Sequence, residues 1–117
     1  MTQEYVGVKQ VTAWPQDKDG APGYAVKYAD GYTSWSPKDV FEAAYIGIGH
    51  VSHLPPHQQR VIGEKAVNDD RLVKLTQFIA ANPLFPTLDS AEQQRQRDQR
   101  HLMAELSDVL GDRIEAF

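Results

Sequence analysis

What most constrains this chain is a change of pattern near its middle. Before Gly47, apolar and aromatic residues come in short runs separated by turn dipeptides. After Pro56 they recur at the three-and-four spacing of helices. Gly47, Gly49, Pro55 and Pro56 mark the stretch between as a linker. A chain of 117 residues laid out this way reads as α+β. The expected organisation is a small antiparallel β-module with a short helix at 1–46, a linker at 47–56, and a long antiparallel α-helical hairpin at 57–117.

In the first half, Tyr5, Val6, Val8, Val11 and Trp14 read as one strand closed by Pro15, with Tyr24–Tyr28 as a second strand. Asp30-Gly31 is a hairpin signal, and Tyr32–Trp35 returns as a third strand. Ser36-Pro37 reads as an N-cap followed by proline in the first helical position. The short helix Lys38–Tyr45 then presents Val40, Phe41 and Ala44 as its apolar face. In the second half, Val61, Leu72, Leu75, Phe78 and Ile79 recur at helical spacing up to Ala81, and Asn82-Pro83 ends that helix. Leu84, Phe85 and Leu88 form an apolar connector. Asp89 with Glu92 resembles a capping box, and the helix beyond it carries Met103, Leu106, Val109, Leu110 and Ile114.

Two features of the hairpin do not fit a plain structural role. Residues 89–101 read DSAEQQRQRDQRH, with only Ala91 apolar, yet in an antiparallel hairpin they lie beside Leu72, Leu75, Phe78 and Ile79. Each of those large residues forgoes roughly 1.5–3 kcal/mol if left wet, so a further cover is expected, most simply a second copy in a two-fold dimer. In addition, Arg95, Arg97 and Arg100 stand early in the second helix and Glu105, Asp108, Asp112 and Glu115 late, the reverse of what the macrodipole prefers. That order points to an anion as the arginines' partner; the plain alternative is a solvated face.

Composition narrows the function classes. The chain is 41% hydrophobic and 24% charged, as globular proteins are. Its net charge of −4 argues against a binder of DNA or RNA polymers. The absence of cysteine removes thiol chemistry and Cys-based metal sites, and suits a reducing cytoplasm. No apolar run is long enough for a membrane span, and the polar start is not a signal peptide. His50, His53 and His57 have ligand-like spacing, but two prolines interrupt any shared helix, so they read as linker histidines. Asp17-Lys18-Asp19-Gly20 echoes a calcium loop without its later ligands and reads as a turn. Asp69-Asp70 reads as helix surface. No catalytic motif set, metal or cofactor is expected. What remains is a binding inventory: arginine forks for phosphate, aromatic faces for a base, and Asn and Gln for sugar hydroxyls.

The string GYAVKYADGYTSWSPKDVFEAAY at 23–45 resembles the N-terminal module of small phage-encoded proteins. The segment starting LPPHQQRV and running through the NPLF connector to the final LGDRIEAF resembles the helical hairpin shared by two kinds of phage anti-defence sponge. One kind counters CBASS immunity; the other, with a β-module before the hairpin, is the first type of Thoeris anti-defence (Tad) sponge. The resemblance implies a non-enzymatic trap, in the infected host's cytoplasm, for glycocyclic ADP-ribose made by TIR-domain proteins. Cyclic di- and trinucleotides are a second implied ligand class, and a homo-oligomer (a dimer or trimer of dimers) the implied assembly. Candidate ligand-binding residues in the matching regions are Phe78 and Asn82 near the connector, Arg95 and Arg100 on the second helix, and Arg113 near its end. A protein–protein adaptor that uses the hairpin as a docking face is the alternative reading.

Overall fold

The computed structural model describes residues 1–117, which divide into two compact units, Met1–Ile46 and Gly47–Phe117. The first is a three-stranded antiparallel sheet in the order β1 (Thr12–Pro15), β2 (Gly23–Lys27), β3 (Thr33–Pro37), followed by helix α1 (Lys38–Ala44). The second contains α2 (Pro56–Ala81), a short 3₁₀ turn at Phe85–Thr87, and α3 (Ser90–Glu115). The α+β architecture read from the sequence is the one observed.

Two tight turns set the sheet. Lys18 and Ala21 exchange both backbone hydrogen bonds at 2.9 Å around Asp19 and Gly20, whose φ angles of 51° and 81° define a two-residue hairpin turn. The aspartates of the calcium-like stretch are therefore turn residues. At the other end Gly31 takes φ 89°, and the Asp30 carboxylate accepts the Tyr32 N–H at 2.9 Å. On the central strand Ala25 and Val26 are buried, and Tyr24 stacks on Phe41 of α1 at 4.3 Å between ring centroids. Phe41 in turn stacks on Tyr45 at 4.8 Å, so an aromatic pile rather than an aliphatic core attaches the helix. The Tyr24 hydroxyl donates to Glu42 at 2.7 Å, which raises the phenol's pKa above its ordinary value.

Three local expectations are corrected. Tyr5, Val6 and Val8 are exposed and outside the sheet. Thr12 already pairs with Lys27, and the partner strand then turns away at Tyr28–Gly31, so earlier residues have no ladder to join. Ser36 does not cap α1: it lies within β3, its hydroxyl bonds the Pro37 carbonyl at 3.3 Å, and Pro37 itself is the N-cap residue. Of α1's expected apolar face only Phe41 packs, and Val40 is 61% exposed.

Helices α2 and α3 are antiparallel. The Asn68 amide donates to the Met103 carbonyl at 2.9 Å and the Ser107 hydroxyl to Asp69 at 2.5 Å, while the Lys65 side chain lies against Gly111. Extended along both helices, this register sets the row Val61, Lys65, Asn68, Leu72, Leu75 and Ile79 towards the row Ile114, Leu110, Ser107, Met103, Arg100 and Gln96. Every residue of both rows is buried or half-buried. Leu72, Leu75 and Ile79 are thus half-covered by the hairpin itself, though their neighbours Arg100 and Gln96 are polar. Phe78 meets Phe85 of the connector edge-on at 6.1 Å, and Phe85 is buried with Arg97 over its ring. The apolar residues expected on one face of α3 are split: Met103, Leu110 and Ile114 face α2, whereas Leu106 and Val109 are exposed. Asp89 caps α3 by accepting the Glu92 N–H at 2.8 Å. No helix is long and apolar enough to cross a membrane.

Gly23 is pressed against β3, where a Cβ would overlap the Trp35 indole and the Ser36 carbonyl. Gly23→Ala is expected to destabilise the first unit by about 1–3 kcal/mol, read as a lower melting point in Trp fluorescence. Leu110→Ala, at a residue 2% exposed, is expected to cost the hairpin about 2–5 kcal/mol, read by helical circular dichroism.

Candidate functional site

The hairpin's inner row is partly polar, and one cluster in it fixes the register. Asp69 accepts Lys65 Nζ at 2.7 Å from its own helix and the Ser107 hydroxyl at 2.5 Å from α3. The ammonium bond first and the hydroxyl second hold its carboxyl below the usual aspartate range. Asp69, which reads as plain helix surface in the sequence, is a tie between the helices. Asp70 pairs outward with Lys74 at 2.9 Å.

Two hollows open on the hairpin surface near its connector end. One, of about 460 Å³, is lined by Lys74, Gln77, Phe78, Ala81, Asn82 and Pro83. Lys74, Phe78 and Ala81 follow one another at i, i+4, i+7, which puts an ammonium, an aromatic ring and a methyl on one helix face. Asn82, the C-cap of α2, uses its Oδ1 to accept the Leu84 N–H at 2.9 Å, which orients the side chain and leaves its amide NH₂ as a donor. The other hollow, of about 360 Å³, lies on α3 and is lined by Arg95, Asp98, Gln99, Leu102, Met103 and Leu106. Arg95 is held by Glu92 of its own helix at 2.8 Å, and the Gln96 amide donates to the other Glu92 oxygen at 3.1 Å. These two bonds, Gln96 the larger, lower the Glu92 pKa.

The five sequence-derived candidates therefore fall in three places. Phe78 and Asn82 share the α2 hollow, and Arg95 belongs to the α3 hollow. Arg100, five residues on from Arg95 and so about 140° round the helix, is half-buried. Arg113 is exposed near the C-terminal end of α3 and lines neither hollow. Lys74 and Gln77 were not singled out from the sequence; the available signal was Lys74's position four residues before Phe78. No group of three or more His, Asp or Glu side chains stands where it could hold a metal ion.

The second unit is thus a helical hairpin that offers cations, one aromatic ring and amide groups around open hollows, the equipment of a small-ligand binder. A protein-family model described as Sequestin matches residues 55–116, more than half of the chain and nearly all of this hairpin. The chain belongs to the Sequestin family, and this membership fits a sponge-type, sequestering protein that binds a small ligand. No curated protein and no solved structure matches it.

Because the Asp69 pKa lies below its unfolded value near 3.9, its contribution to stability is present above that pH and is lost as pH falls through the depressed value. Helical melts recorded from neutral pH downward are expected to show this loss. Asp69→Asn should melt lower at neutral pH and lose less on acidification; an unchanged acid limb would exclude Asp69 as a contributor.

Proposed function

We propose that this chain is a non-enzymatic sponge that sequesters cyclic nucleotide immune signals in the cytoplasm of an infected bacterial cell. The first ligand class is the glycocyclic ADP-ribose made by Thoeris TIR proteins, and the second is the cyclic di- and trinucleotides of CBASS. The observation that carries the reading is that the Sequestin match falls on the hairpin, the same unit whose α2 hollow combines Lys74, Phe78, Gln77 and Asn82. Each group suits one part of a nucleotide. The Phe78 ring offers a stacking face for a purine, worth about 1–3 kcal/mol per base. Lys74 offers an ammonium to phosphate oxygens, and a charged hydrogen bond is worth about 1.5–3 kcal/mol. The free NH₂ of Asn82 and the Gln77 amide suit ribose hydroxyls. At about 460 Å³ the hollow falls within the range of small-ligand sites. The resemblance of the β-module-plus-hairpin order to the first Tad type supports the Thoeris signal as the leading ligand.

A sponge holds its ligand without converting it. Breaking a glycosidic or phosphodiester bond calls for a poised acid, base or metal, and the hollow's polar side chains are an ammonium and two amides. Holding a messenger below the level that activates a host effector calls for nanomolar affinity, about −12 kcal/mol.

Two measurements test this reading. In a thermal-shift panel of ADP-ribose isomers and cyclic oligonucleotides, one class is expected to raise the melting point; a site at 100-fold ligand excess over Kd adds about 2.7 kcal/mol. Lys74→Gln is expected to weaken binding roughly ten- to a hundredfold with little change in the ligand-free melting point. After incubation with purified messenger and heat denaturation of the protein, the supernatant should contain the messenger unmodified. A linear or dephosphorylated product would identify an enzyme, and stabilisation by a host or phage protein alone would identify an adaptor.

A further inference from the structure

Residues 89–101, the polar start of α3, do not line the α2 hollow, yet two of their side chains hold the connector beside it. The Gln93 amide, half-buried, donates to the Leu88 carbonyl at 2.9 Å and to the Pro86 carbonyl at 3.4 Å. No backbone N–H reaches either carbonyl, so one side-chain NH₂ serves both. The Gln93 Oε1 stands 3.5 Å from an Arg97 nitrogen one helical turn on. The Arg97 guanidinium lies over the Phe85 ring, 5.4 Å from its centroid, within cation–π range. Arg97 enters none of the chain's four salt bridges. Its partner is a ring, not the anion that the charge order suggests.

From Phe85 the contacts run on to the hollow. Phe85 is buried and meets Phe78 edge-on at 6.1 Å. Its N–H donates to the Asn82 carbonyl at 3.1 Å, and the Asn82 side chain accepts the Leu84 N–H at 2.9 Å. Phe78 and Asn82 line the hollow, whereas Gln93, Arg97 and Phe85 do not. The connector is thus held at both ends, by Asn82 on α2 and by Gln93 on α3, and the Phe85 ring touches both Arg97 and Phe78. A ring and an amide already fixed in place lose less rotamer freedom when a ligand arrives, and the difference appears as affinity.

We propose that Gln93 and Arg97 are positioning residues for the α2 hollow. Acting through the connector and Phe85, they set the Phe78 ring and the Asn82 side chain in the geometry that receives a ligand. The positioning rests on the hydrogen bonds and ring contacts alone; its effect on affinity rests on the proposed function.

Gln93→Glu separates positioning from bulk stability. It keeps the side chain's size and suits the start of a helix, but an ionised carboxylate cannot donate to the two carbonyls. In ligand-free protein carrying isotope-labelled phenylalanine, it is expected to move the Phe78 ring resonances with helical dichroism unchanged, while those of Phe41 and Phe117 stay put. In calorimetry with glycocyclic ADP-ribose, well below the melting point, affinity is expected to fall roughly three- to tenfold at unchanged stoichiometry. Arg97→Ala should act in the same direction more weakly, and Arg97→Lys, which returns a cation to the ring, should recover most of the loss. Arg97 is exposed, so its variants report even where Gln93→Glu fails to fold. Phe78 resonances that stay unmoved, or that move while wild-type affinity is kept, overturn the proposal. Moved resonances in a chain whose wild type binds no cyclic nucleotide would uphold the positioning and reject the ligand reading.

Discussion

The register of the helical hairpin depends on a few polar bonds set in an otherwise thin apolar seam. Asn68 to the Met103 carbonyl and Ser107 to Asp69 lock α2 to α3 about midway along their length. A slide of one helical turn would leave the half-buried Asn68 amide and Asp69 carboxylate without their cross-helix partners, and Asp69 with Lys65 alone. Apolar contacts are non-directional and so discriminate between registers less sharply than these bonds do. Polar pairing therefore supplies uniqueness, and hydrophobic burial supplies the drive to collapse.

Everything on the hairpin surface follows from that register. It sends Met103, Leu110 and Ile114 inward and Leu102, Leu106 and Val109 outward. It draws Arg100 into the seam, and leaves Arg95 and Arg113 on the outer row. It also puts the hollow beside Phe78 at the connector end, where Asn82 ends α2 and Phe85 folds back edge-on against the Phe78 ring. The ring is thereby fixed from one side while its hollow stays open, which suits stacking more than burial.

The first unit solves a different problem by different means. With Ala25 and Val26 as its only buried aliphatic residues, it relies on the Tyr24–Phe41–Tyr45 pile and on turns that accept positive φ. Trp35 reaches across to donate its indole N–H to the Gln16 carbonyl at 2.7 Å, and Lys18 lies over the same ring. Aromatic side chains bury much area at little entropic cost, and so suit a sheet whose strands run only four or five residues. The Sequestin match lies outside this unit and covers the hairpin.

By itself the sequence determined what local chemistry controls. The Asn82-Pro83 stop, the Asp89 cap, the turns at Asp19-Gly20 and Asp30-Gly31 and the α+β order were all legible, because each depends on residues within a few positions of one another. It also marked residues 89–101 as too polar for their place, and Gln96 and Arg100 do stand in the inner row. Which side chains meet was decided by the tertiary structure alone. Helical spacing placed Leu106, Val109 and Leu110 on one face, but successive helical residues point about 100° apart. Packing against α2, with the cross-helix bonds at Asn68 and Ser107, chooses which of them turns inward. The same choice separated Arg100 from Arg95 and joined Lys74 to Phe78 and Asn82. Sequence spacing sets directions relative to a helix's own axis, whereas a binding site depends on how two axes are rotated against each other.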